Sequence, residues 1–260
     1  GVIDSEMNNN VGTGLHVGLG SEQGVALALL LDTMTSDNAG TGTRLIIDGE
    51  EAAIAALLDI ESDDNAAGFG LDAHLTSTNG VGALVMSSTQ ALVDQIDDPI
   101  LSLVGLPGAD LSGFPTGGPN SFSRNAMGMM VNIDAPDMAM SIINDALFNS
   151  NTAGSGLQQN LLAGDYALAY LAGVDASGNA TVGLLTDVTA TNGTAVSAYG
   201  LDSGVFDLAA LALDELGIPL PFGLPAELLA IVPGGPVTAH DNGADGILNV
   251  VQGDDAAISV

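Results

Sequence analysis

The chain has 260 residues and carries 32 Asp and Glu against only two basic residues, Arg44 and Arg124, for a formal net charge of −30, yet only 13% of its residues are charged. A globular domain averages about 25% charged residues, so the imbalance comes from missing cations rather than from a flood of carboxylates. With no lysine at all, the sequence excludes nucleic-acid binding through a phosphate-neutralising face, attachment to anionic membranes, Schiff-base catalysis and P-loop chemistry.

Hydrophobic residues make up 47% of the chain and aromatic residues 3%, with 35 Gly and no Cys or Trp. Such a composition fills a core with Ala, Val, Leu and Ile and lets backbones approach closely. No apolar run reaches the roughly 20 residues a membrane helix requires, and the aromatic girdles of a membrane barrel are lacking. The absence of Cys removes disulfides, thiolate catalysis and Cys-based metal sites. A first residue other than Met points to removal of a leader, and with it to a secreted, extracellular or cell-surface location.

Along the chain, short runs of period-two alternation predict strands at Gly14 to Leu19, Val25 to Leu31, Thr43 to Ile47, Phe69 to Thr76, Val81 to Met86 and Met127 to Ile133. Further on, Asp165 to Val174 and Ala180 to Val188 flank the turn-forming Asp175-Ala-Ser-Gly-Asn179 and read as an antiparallel hairpin. Thr194 to Tyr199 extends it to a meander, and Ile247 to Val251 and Ala256 to Val260 complete the set. Helices are expected between them. Asp48-Gly-Glu-Glu51 has capping-box spacing ahead of Ile54, Leu57 and Leu58, and Ser87-Ser-Thr-Gln90 repeats it. Asp134 and Pro136 open a third, with Met138, Ile142 and Ala146 on one face; a fourth spans 207–216, and Pro225 starts a fifth. The fold class that follows is mainly β with inserted helices, an antiparallel sandwich or barrel, with α+β as the alternative. No repeat of fixed period stands out. The chain reads as one domain over 1–260, with the Gly/Pro/Ser-rich stretch 106–124 as the one candidate boundary.

Catalytic constellations are sparse. Only His16, His74 and His240 are available as bases, and no Gly-x-Ser-x-Gly elbow occurs, so the chain is not expected to be an enzyme. The acids fit calcium better, since it takes six to eight oxygen ligands from carboxylates, Asn side chains and carbonyls. Three loops qualify as candidate Ca2+ sites: Glu61 to Asn65 through Asp63, Asp64 and Asn65; Asp175 to Asn179 through its two end residues; and Asp241 to Asp245 through Asp241, Asn242 and Asp245. Plain turn chemistry explains the same residues. Tyr166 and Tyr170 share one face of a strand, as a small platform or as packing. Asn179-Ala-Thr181 and Asn192-Gly-Thr194 match the glycosylation acceptor pattern.

The expected function is an extracellular structural subunit that self-assembles into a filament, sheath, surface layer or matrix fibre, its partner being itself. The neutral Gly/Ala-rich strands have large faces to bury, and Asp4 to Asn10 and the strand near Ile258 are candidate exchange elements. The alternative is a calcium-dependent adhesion or carbohydrate-binding module with a glycan as ligand.

Overall fold

The computed structural model describes residues 1–88, 118–200 and 235–260. Within them every strand pairing is parallel, and the chain winds as a β-solenoid of about six turns with no helix. This overturns the expected antiparallel sandwich or barrel with inserted helices.

The strands fall into two sheets that face each other. In chain order they are β1 (Val2–Glu6), β2 (Leu15–Ser21), β3 (Val25–Met34), β4 (Thr43–Gly49), β5 (Ala52–Glu61), β6 (Phe69–Ser77), β7 (Val81–Ser87), β8 (Asn120–Ser121), β9 (Met127–Ala135), β10 (Met138–Leu147), β11 (Leu157–Ala163), β12 (Tyr166–Asp175), β13 (Leu184–Ala190), β14 (Thr194–Tyr199), β15 (Ile247–Gly253) and β16 (Ala256–Ser259). Sheet one runs β1-β3-β5-β7-β10-β12-β14-β16, with the short β8 beside β5 and β10; sheet two runs β15-β13-β11-β9-β6-β4-β2. The chain alternates between the sheets, so sequence neighbours such as β12 and β13 never pair. The predicted hairpin is therefore a corner: β12 pairs with β10 and β14, and β13 with β11 and β15.

Uninterrupted turns are 27 to 29 residues long, as Val25↔Ala52, Val2↔Leu30, Leu15↔Thr43 and Ala52↔Val81 show. A repeat thus exists where none was read. It is broken twice, where the register passes from Phe69 to Met127 and from Leu184 to Ile247. Buried Asn120 closes the first break. Its Oδ1 accepts from Ile60 N–H at 2.9 Å, and its Nδ2 donates to Ser87 O at 2.8 Å and Asp145 O at 3.3 Å.

Inward side chains stack in register from coil to coil. One column of sheet two reads Leu19, Ile47, Leu75, Ile133, Leu161, Val188, Val251, and sheet one contributes Ala53, Ala55, Leu57, Leu84, Met86, Ala139, Ile143, Ala167 and Leu171. Small Ala side chains bring the sheets close, and each buried Leu or Ile contributes about 1.5–3 kcal/mol by leaving water. At one corner Phe122 stacks on Phe148, ring centroids 5.6 Å apart. The outward face of sheet one carries a second apolar cluster in which Met138, Met140, Ile142 and Tyr170 are buried. Burial pushes the Tyr170 hydroxyl up to about 12.

The helix readings fail for a definable reason. Each long strand of sheet one contains a left-handed residue, Asp4, Asp32, Asp59, Asp145 or Gly173, with φ between 46° and 59°. There the inward face advances three residues instead of two, from Leu57 to Ile60, Ile143 to Ala146 and Leu171 to Val174. The readings themselves rest on cap-like turns and on spacings such as Met138 to Ile142, and a step of four fits a strand's period of two as well as a helix's 3.6. Asp48 and Gly49 end β4 and Glu50-Glu51 turn the chain into β5, while Asp134 lies in β9 and Pro136-Asp137 form the turn into β10. The expected helices over 207–216 and from Pro225, the one from Ser87 beyond Ser88, and residues 106–117 of the candidate boundary lie outside the described residues.

Ser141 marks a stability defect. Its Oγ is buried without a hydrogen-bond partner, between Leu84 and Ala169 in register. Removing an unsatisfied buried hydroxyl without leaving a large cavity is favourable. Ser141→Ala should therefore raise the unfolding free energy by about 1 kcal/mol, read as a higher midpoint in urea.

Candidate functional site

The corner between sheet one and sheet two is built the same way in every coil. A left-handed residue, Asn9, Asp37, Asp64, Arg124, Ser150, Gly178 or Asp241, with φ of 56° to 68°, precedes an asparagine: Asn10, Asn38, Asn65, Asn125, Asn151, Asn179 or Asn242. These asparagines form a ladder along the solenoid axis. In all six rungs the backbone N–H of one Asn donates to the Oδ1 of the Asn in the following coil, at 2.8 to 3.0 Å. In five of them the Nδ2 donates to that same oxygen. The inner asparagines, Asn38 to Asn179, are buried, so the ladder satisfies corner N–H groups that water does not reach.

A second ladder lies two residues earlier and runs the opposite way. The side-chain oxygens of Asn8, Ser36, Asp63, Ser123, Asn149 and Ser177 accept the N–H of the next coil. It ends at His240, which has no side-chain oxygen. A glycine column, Gly14, Gly42, Gly70, Gly128, Gly156 and Gly183, backs the asparagines; a Cβ on any of them would fall 2.6 to 2.8 Å from the next Asn Nδ2.

These ladders account for most of the residues expected to bind calcium. The Oδ1 atoms of Asn65, Asn179 and Asn242 are committed to N–H donors of the preceding coil. Asp63 accepts from Ser123 N–H at 2.7 Å and Ser121 Oγ at 2.8 Å, and it faces Arg124. Asp64 takes a forked pair from Arg124, Nε at 3.0 Å and Nη2 at 2.7 Å. The Asp64 hydrogen bond raises the Arg124 pKa further, and burial next to Asp63 raises the Glu61 carboxyl. Asp175 accepts from Ser177 Oγ at 2.6 Å and Asn149 Nδ2 at 3.1 Å; these bonds lower its pKa against a desolvation that works in the other direction. Asp241 touches His240 Nδ1 at 2.9 Å, and Asp245 is exposed. Among the described residues, no group of three or more His, Asp or Glu converges in a way that holds a metal ion.

The histidines do not converge on a serine-type site. His16 and His74 lie two strands apart on the outer face of sheet two, where Asp72 joins His74 at 2.8 Å and Arg44 at 3.3 Å. His240 sits at the far end of the solenoid. Tyr170 is fully buried, so the tyrosine pair is packing. Buried Asn179 is a ladder rung, whereas Asn192 is exposed in a turn.

The feature that sequence reasoning missed is the pair of open end faces. Ile247 occupies the inward column of Leu157 and Leu184, both fully buried, yet it is 43% exposed. Inward-facing Ala257 is exposed at the same end. At the other end Leu15, Val17 and Leu19, in columns whose inner members are buried, are only partly covered. The outermost strands β1 and β2, and β15 and β16, leave one edge each without a neighbour among the described residues.

The fold and this corner define an all-parallel, two-sheet β-solenoid stitched by asparagine and glycine columns. The chain matches no protein-family model, no curated protein and no solved structure. The architecture is compatible with a structural or repetitive surface protein.

Proposed function

We propose that the chain is an extracellular, non-catalytic structural subunit that self-assembles into a filament or matrix fibre. The supporting observation is the open apolar core at both end faces, seen most directly in the exposure of Ile247 in an otherwise buried column. Unpaired parallel edges above such a core recruit another layer of strands, and stacking would bury the end faces of both copies. The formal charge of −30 on each copy opposes this contact, so assembly is favoured by salt, or by calcium acting as a counterion at the exposed Asp37, Asp64, Asp241 and Asp245.

Light scattering and negative-stain microscopy test the reading. The expected result is elongated oligomers that lengthen with protein concentration and with ionic strength. A chain that stays monomeric at high concentration across both salt and calcium series overturns it.

A further inference from the structure

We infer that the two end faces bind each other, the coil carrying Asn242 docking onto the coil carrying Asn10 of a second copy, so that one asparagine ladder runs head to tail through the junction. This rests on the self-assembly proposed above and adds its polarity and register.

The ladder is directional. Every rung sends donors from one coil to an Oδ1 in the following coil. Asn242 is the last asparagine of the series, and neither its backbone N–H, the donor of every earlier rung, nor its Nδ2 has a hydrogen-bond partner among the described residues. Unsatisfied donors of this kind call for an acceptor that the described residues do not supply. At the opposite end, Asn10 donates through its N–H and Nδ2 to Asn38 Oδ1 and through Nδ2 to Met7 O, while its own Oδ1 accepts from nothing among the described residues. One end therefore lacks an acceptor and the other offers one.

The apolar columns agree, while the second ladder stops at the junction because His240 offers no side-chain oxygen to the Asn8 N–H of the next copy. Continuing the columns by one coil sets Ile247 against Leu15 and Val251 against Leu19, apolar on apolar. Joining two Asn242 ends would set donor against donor, and joining two Asn10 ends acceptor against acceptor. Only the unlike pairing satisfies both, and a heterologous contact between unlike faces does not close on itself but propagates as a fibre.

Cysteine cross-linking reads the polarity, since the native chain has no Cys. His16 and Leu248 occupy one outward column of sheet two, and both are exposed. Across a continued ladder their Cα atoms sit about 5 Å apart, within disulfide reach. Under mild oxidation, a mixture of His16→Cys and Leu248→Cys should give disulfide-linked dimers and the double variant a ladder of multimers, with neither single variant cross-linking alone. Homodimers of either single variant overturn the polarity. So do filaments whose mixed variants fail to cross-link, an outcome that leaves self-assembly standing; absence of any oligomer overturns both.

A second variant addresses the junction chemistry. Asn242→Asp keeps the oxygen that Asn179 needs but removes the Nδ2 donor. Measured in roughly 1 M NaCl, where the Debye length is about 3 Å, it should raise the critical concentration for assembly about tenfold or more while the monomer melts within a few degrees of wild type. An unchanged critical concentration counts against the ladder as the contact.

Discussion

Asn65→Leu should lower the unfolding free energy by about 3–4 kcal/mol, the summed cost of stranding buried corner donors at about 1–3 kcal/mol each. Asn65 is fully buried, and its Oδ1 takes both the backbone N–H of Asn38 at 3.0 Å and the Asn38 Nδ2 at 3.0 Å. Its own Nδ2 donates to Asn125 Oδ1 at 2.9 Å and reaches Ser62 Oγ at 3.3 Å. Leucine matches the volume but answers none of these groups, and the Asn38 N–H is left in a place water does not reach. The same truncation at the solvent-exposed end is a built-in control. Asn10→Leu removes only exposed donors, so its cost should stay below about 1 kcal/mol. Urea denaturation of both variants decides the matter: equal effects at the two positions would mean that the ladder is decoration. Because each coil of a solenoid contacts only its neighbours, stability is close to a sum of local terms, and amide exchange should show the Asn65 defect concentrated in the coils around β4, β5 and β6.

Gly128→Ala should cost about 4 kcal/mol or more, beyond ordinary overpacking at about 1–3 kcal/mol, because the obstacle is backbone. A Cβ at Gly128 would overlap the carbonyl oxygen of Gly156 and fall 2.8 Å from Asn151 Nδ2. The coil carrying β11 cannot yield without breaking the parallel rungs that join it to β9 and β13. Gly18 sits in the same architecture with no atom within 4 Å of its added Cβ, so Gly18→Ala should be neutral or mildly stabilising in a strand, within about 0.5 kcal/mol. A comparison of the two melting curves checks this; a mild Gly128→Ala would show that the coils are free to spread.

Eleven of the sixteen strands were legible and their partners were not, while β5 and β10 read as helices and β1, β8 and β11 went unread. Each predicted run falls on an observed strand or shares most of its residues with one, because alternation of inward and outward residues is a local property. Whether β12 turns back on β13 or passes to the other sheet depends on its corner, where Gly178 and Asn179 look the same in a hairpin turn and in a solenoid corner. The repeat was present as Asn10, Asn38, Asn65 and again as Asn125, Asn151, Asn179, each followed within three to five residues by a column glycine. Two breaks cut it into runs of three, and the second of them separated Asn242 from the rest. The calcium reading came from the same residues. Asp, Asn and Gly are what a left-handed corner selects, and only the coordinates show that the Oδ1 atoms of Asn65, Asn179 and Asn242 are taken by the preceding coil. The open ends had no sequence signal, because Ile247 and Leu184 are alike as residues and differ only in what lies above them.

The left-handed column of sheet one carries a consequence for how such a chain accepts new sequence. At Asp4, Asp32, Asp59, Asp145 and Gly173 the pairing register skips a residue, passing from Ile3↔Leu31 to Ser5↔Thr33 and from Asn144↔Ala172 to Ala146↔Val174. A strand interrupted there forfeits no rung. Both breaks in the repeat fall opposite this column, after Ser88 beside Asp145 and after Gly200 beside Gly173. The column thus marks, along a single side of the molecule, the positions at which the ladder already omits a pair and at which inserted sequence is expected to cost the fewest rungs.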